Sequence, residues 1–103
     1  MFKVSVMYPN QAGSKFDFDY YHKTHMKLVR EAMAPFGLVR TEVEKGLSGS
    51  AGQPAPYLCI GHLYFDNVDG YDKAIQAAGA KLRADIPNYT NIQPVRQAGE
   101  LIE

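Results

Sequence analysis

The chain has 103 residues, enough for one domain with a modest core. Eleven Lys and Arg balance eleven Asp and Glu and neither sign clusters, which argues against a nucleic-acid partner, since such binders present a basic face. No apolar run has the length of a membrane span, residues 1–15 lack a signal peptide's apolar stretch, and the single cysteine, Cys59, excludes an internal disulfide; the pattern suits a cytoplasmic protein.

From Phe2 to Tyr8, Phe, Val, Val and Tyr alternate with Lys, Ser and Met, the pattern of a half-buried strand. A turn cluster, Pro9 to Ser14, ends it. Residues 16–36 then wind as an amphipathic helix. Phe18, Tyr21, Leu28, Val29, Ala32 and Phe36 share one side with His25 at the centre, and Lys23, Lys27, Arg30 and Glu31 share the wet side. Asp17 or Ser14 can cap this helix, Asp17 and Asp19 suit its positive end, and Pro35 and Gly37 stop it.

Leu38–Leu47 reads as a second strand, and Ser48–Pro56 as a flexible loop. Tyr57–Phe65 is the third strand and the most apolar segment. A second helix begins in Asp66–Gly70 with Val68, Tyr71, Ala74, Ile75 and Ala78 as its stripe. Gly79 is expected to break it, a short helical piece to run on to Ile86, and Pro87-Asn88 to end that. Ile92–Ile102 supplies the last strand.

The order β-α-β-β-α-β is that of the ferredoxin-like split unit: an α+β domain over residues 1–103, a four-stranded antiparallel sheet with both helices on one face. In strand three Leu58 and Ile60 lie on one face while Leu63 and Phe65 lie on the other, so the face away from the helices is also apolar and calls for a cover. A homodimer through that sheet face is the simplest one.

His25 is the leading functional candidate. A titratable ring among core residues must find a hydrogen-bond partner or line a cavity. It is either a core histidine satisfied by its neighbours or a general acid or base at a pocket between helix and sheet. Tyr21, one turn earlier, can orient that ring or a ligand, or serve as a core tyrosine. His22 stands at the border of the stripe as a rim residue. His22 and His25 at i and i+3 lack the further ligands of a metal site, so no metal is expected. Phe18, Val29 and Leu63 complete a candidate substrate-binding wall. His62 shares a strand face with Leu58, Ile60 and Tyr64; the face of Cys59, Gly61, Leu63 and Phe65 is favoured for the helices because Gly61 permits close approach. That leaves His62 between sheets. Cys59 lacks a feature that lowers a thiol pKa, and the glycines of 46–52 lead into no helix that would bind phosphate.

Phe16-Asp-Phe-Asp-Tyr-Tyr-His-Lys-Thr-His-Met-Lys-Leu-Val resembles the signature of the EthD family, named for a protein of ethyl tert-butyl ether degradation. Asp85-Ile-Pro-Asn-Tyr-Thr-Asn-Ile-Gln-Pro is similar to that family's closing segment. The resemblance covers essentially the whole chain and implies a dimeric α+β barrel with the pocket between sheet and helices of each subunit. It carries the signature histidine onto His25 and the preceding aromatic onto Tyr21. Lys27 departs from the pattern, where proline is common. No reaction is carried with it, because the fold hosts many chemistries.

Two functions follow as expectations. One is a small cofactor-independent enzyme that acts on a hydrophobic, cyclic, oxygenated metabolite, with His25 shuttling a proton beside a carbonyl and Tyr21 orienting the oxygen, in isomerisation, dehydration or oxygen-dependent oxidation. The other is a non-catalytic binding or accessory protein serving a partner oxidase. Haem binding through a histidine has precedent only among relatives, and the glycine-rich fingerprint of a nicotinamide site is missing.

Overall fold

Alternation along β1 (Phe2–Pro9) turns Phe2, Val4, Val6 and Tyr8 to one face of the sheet. The computed structural model describes residues 1–103. Strands β2 (Leu38–Lys45), β3 (Tyr57–Phe65) and β4 (Val95–Glu100) complete an antiparallel sheet in the order β2-β3-β1-β4. Register sets Val6 opposite Gly61 and Arg96, and Gly61 opposite Val43, so these four share one row on the helix side. The next row, Val95, Met7, Ile60 and Glu44, belongs to the opposite face. Cys59, Gly61, Leu63 and Phe65 are all buried on the helix side, and His62 lies on the other face, as the small Gly61 suggested.

Helix α1 is built of three consecutive segments, Phe18–Tyr20, Tyr21–His25 and Met26–Met33. Asp17 is extended and its side chain accepts from the Tyr20 amide at 3.0 Å, closing the N-terminus. Tyr21–His25 is a π turn, in which the Met26 N–H reaches back to the Tyr21 carbonyl. The extra residue in that turn sets the downstream helix back by about one residue's step. Met26 and Met33 therefore reach the core with Val29, while Leu28 and Ala32, inside the 100° stripe, are only half-buried. A 3₁₀ turn at Ala34–Phe36 and a left-handed Gly37 (φ 93°) end the helix.

Helix α2 (Val68–Asp85) begins at the Asn67 cap and is continuous. Gly79 does not break it: packing of the buried helix face outweighs glycine's poor propensity. A 3₁₀ turn, Ile86–Asn88, follows. The flanking strands are shorter than their patterns suggest. Ile92 is buried in the core instead of pairing in the sheet, and Leu47 and Ile102 are exposed beyond the strand ends. The segment after α2 is stitched to the start of α1. Asp17 N donates to the Tyr89 carbonyl at 2.8 Å, and the Thr90 hydroxyl to the Lys15 carbonyl at 2.6 Å.

Candidate functional site

The π turn delivers Tyr21 and His25 to the inner face together, one above the other. Their rings stack at 5.4 Å and 15°, with Tyr89 packed at 4.7 Å from the imidazole on another side. His25 Nδ1 lies 2.9 Å from Asp85 Oδ2, with both side chains nearly sealed from solvent (7% and 11% exposed). The other carboxylate oxygen, Oδ1, accepts from the Tyr20 hydroxyl at 2.7 Å and from Asn88 Nδ2 at 2.9 Å. Asp85 is thus held by three donors, from both sides of the junction between α1 and the end of α2.

These bonds decide the protonation of the pair. Burial raises the Asp85 carboxyl, but the bonds from Asn88, His25 and Tyr20 outweigh it and leave the group below its ordinary value. Burial pulls His25 below the usual histidine range, and Asp85 only partly restores it. Near neutral pH the arrangement is therefore carboxylate and neutral imidazole. An ionised carboxylate only accepts, so Nδ1 carries the ring proton and Nε2 presents a lone pair. Nε2 has no protein partner and is not sealed, and His25 lines a cavity.

That cavity, of about 60 Å³, lies between the two helices and the sheet. Val6, Tyr21, Met26, Val29 and Leu63 form much of its wall, and Tyr8, Tyr89, Arg83 and Arg96 add polar atoms. The Tyr8 and Tyr89 hydroxyls are joined at 2.6 Å. Burial pushes the phenols of Tyr8, Tyr21 and Tyr89 up, so all remain protonated donors. Gly61 lies directly beneath Tyr21: a Cβ there would meet the Tyr21 hydroxyl. Close approach across Gly61 is thus made by a helix side chain.

Of the residues singled out from sequence, His25, Tyr21, Val29 and Leu63 line one cavity. His22 and Phe18 do not join them. With Asp19 and Val43 they border a separate surface depression between the start of α1 and the edge strand β2. Asp17 and Asp19 do not reach His25: Asp17 caps the helix, and Asp19 pairs with Lys23 at 2.9 Å. His62 bonds Glu44 at 3.0 Å on the far face of the sheet. Buried Cys59 has its thiol pushed up to about 12 by burial, which suits a core residue.

Asp85, Tyr89 and the two arginines were not picked out from sequence. One signal for Asp85 exists. A carboxylate on the last residue of a helix opposes the macrodipole, and a broken local rule often marks a functional site.

The EthD domain model matches residues 12–93. The chain belongs to the EthD family. An EthD-like protein from Ralstonia eutropha is 37% identical, with 99% of this chain and 92% of that one covered at a TM-score of 0.93. An EthD family protein from Bacillus halodurans is 21% identical, with 99% of each chain covered and a TM-score of 0.70. A dimeric ferredoxin-like protein from an uncultured marine organism shares the fold at 13% identity, 100% and 96% coverage and a TM-score of 0.56. No curated protein sequence matches the chain. This EthD domain has no helix long and apolar enough to cross a membrane.

Proposed function

We propose that this EthD protein is a small enzyme that moves a proton on a hydrophobic, cyclic, oxygenated metabolite without a bound cofactor. One observation carries the proposal: a buried neutral imidazole, fixed at Nδ1 by Asp85, with Nε2 unbonded and the residue lining a mostly apolar cavity. This is the geometry of a general base whose protonated form is stabilised by an adjacent carboxylate. Nε2 takes a proton from a carbon beside a carbonyl, leaving an enolate and a His25 imidazolium paired with Asp85. Tyr21, kept protonated, donates to the enolate oxygen. Return of the proton to a different carbon gives an isomer. Transfer of that proton to a β-hydroxyl as it departs gives water and an unsaturated product.

A cavity of about 60 Å³ admits only the reacting end of such a ligand; whole drug-sized ligands fill roughly 300–1,000 Å³. The rest of the molecule must lie towards the rim. A homodimer through the open sheet face belongs to the same proposal. Support comes from the apolar row Val95, Met7 and Ile60 on that face and from neighbours described as dimeric.

The test is solvent exchange. Enolisable lactones, cyclic ketones and quinols that raise the melting temperature are incubated in D₂O and followed by proton NMR. The protein should speed loss of the α-proton signal, and His25→Ala should abolish that speed while still folding. Binding without exchange would instead support the accessory, non-catalytic reading.

A further inference from the structure

A purely apolar ligand leaves part of the His25 pocket without a purpose. Two guanidinium groups, Arg83 from α2 and Arg96 from β4, line it among mostly hydrophobic neighbours. None of the chain's five contacts between a basic side chain and a carboxylate involves either of them, and neither side chain makes a hydrogen bond within the protein. Arg96 stands beside Val6 in the row that continues to Gly61, under the Tyr21 hydroxyl. Its positive charge is felt at Tyr8, Tyr21, Tyr71 and His25.

Arg83 is positioned by Gly79. A Cβ on Gly79 would lie 2.9 Å from Arg83 Nη1. Glycine is among the poorest helix formers, yet Gly79 sits buried inside α2. The missing side chain lets the Arg83 guanidinium fold back along the helix to the cavity wall. A free arginine normally extends into water; here the backbone is shaped to keep the fork beside the pocket.

We propose that Arg83 and Arg96 form an anion clamp at the rim of the His25 cavity, and that the ligand is a small cyclic carboxylic acid whose carboxylate they bind. The inference rests on the His25 cavity being the ligand site. Planar guanidinium forks match a carboxylate with paired hydrogen bonds, and the apolar wall beneath takes the ring. The carboxylate end remains at the rim, while the opposite end reaches Nε2. This placement also reconciles a narrow cavity with a cyclic ligand.

The experiment compares matched ligands on the full chain: benzoate and cyclohexanecarboxylate against benzamide and cyclohexanecarboxamide, with phenyl phosphate as a third arm. Affinities come from amide chemical-shift titrations of the wild type, Arg83→Gln, Arg96→Gln, the double variant and His25→Ala. Carboxylates should bind at least about tenfold more tightly than the amides, a preference of the size that paired charged hydrogen bonds supply. That preference should fall towards unity in the double variant, with amide affinity unchanged. Gly79→Ala, which displaces Arg83, should lose part of it. Equal binding of acid and amide, or no shifts around the cavity at millimolar ligand, overturns the clamp. Tighter binding of phenyl phosphate overturns the assignment to a carboxylate. His25→Ala should retain the preference while losing exchange, so a failure of proton transfer and a failure of the clamp are separable.

Discussion

His25 and His62 each meet a carboxylate, at 2.9 Å from Asp85 on the helix side of the sheet and at 3.0 Å from Glu44 on the other side. The pairs differ in everything that surrounds the bond. Asp85 is 11% exposed and is also held by Tyr20 and Asn88; Glu44 is 57% exposed. His25 keeps one nitrogen open to a cavity, whereas His62 has Nδ1 buried with no partner at all. Glu42, beside Glu44 on the open face, is occupied with the Tyr64 hydroxyl at 2.7 Å. An imidazole next to an acid is thus not distinctive by itself; further anchors on the acid and an unbonded nitrogen on a ring that lines a cavity make the difference.

The sharpest way to break this comparison is to delete each ring. His25→Ala should lower α-proton exchange by about 10²–10⁴, the usual contribution of a positioned base, and His62→Ala should leave exchange within a few-fold. Equal losses, measured by the same NMR assay, would erase the distinction.

Asp85→Asn comes next. The amide can donate to Nδ1 and so favour the other ring tautomer, moving the proton onto Nε2. Exchange should fall by about 10² or more. Nitrogen-15 NMR of the His25 ring should show the change, while the corresponding Glu44→Gln variant leaves the His25 signals unmoved.

Gly61→Ala tests the close approach of Tyr21 to the sheet. Its Cβ would meet the Tyr21 hydroxyl, so a loss of about 1–3 kcal/mol is expected from urea unfolding, in line with overpacked cores. Tyr21→Phe in the same chain should recover part of it, and a double-mutant cycle measures how much. Additive losses would place the damage elsewhere.

A smaller effect is set by pH. The groups facing His25 are Asp85, Tyr21, Tyr89 and the charge of Arg96. Because burial holds folded His25 below the unfolded value of about 6.5, the unfolded chain takes up a proton that the folded chain refuses. Stability from this site is therefore complete above about pH 6.5 and is lost as the pH falls through the folded value. Asp85, also depressed, adds a second loss below about pH 4. Melting temperature against pH should show the first decline in the wild type and lose it in His25→Gln. The exchange rate should fall on the same acidic side.

The smallest expected change is in the half-exposed pair. His62→Leu removes a buried nitrogen without a partner together with one hydrogen bond to the exposed Glu44, so stability should move by no more than about 1 kcal/mol.

How far the sequence led depended on range. Alternation in β1 identified its inner face, because strand periodicity is local and survives folding unchanged, and in β3, apolar on both faces, the small Gly61 pointed to the inner one. The helical stripe placed Tyr21 and His25 inside but missed Met26 and Met33, because the π turn shifts the register in a way a uniform 100° rotation does not contain. Gly79 looked like a break because propensity is local; its purpose depends on Arg83 and the cavity.

By itself, then, the order and periodicity of this chain determined the β-α-β-β-α-β fold, the EthD signature and the inward position of His25. Only the tertiary structure chose its partner. Asp85 lies 60 residues from His25 along the chain. It reaches Nδ1 because the residues after α2 are stitched to the start of α1 by the Asp17–Tyr89 and Thr90–Lys15 bonds. Eleven acidic residues were available by composition. Which one folding brings beside the histidine depends on long-range packing, and residue spacing does not encode it.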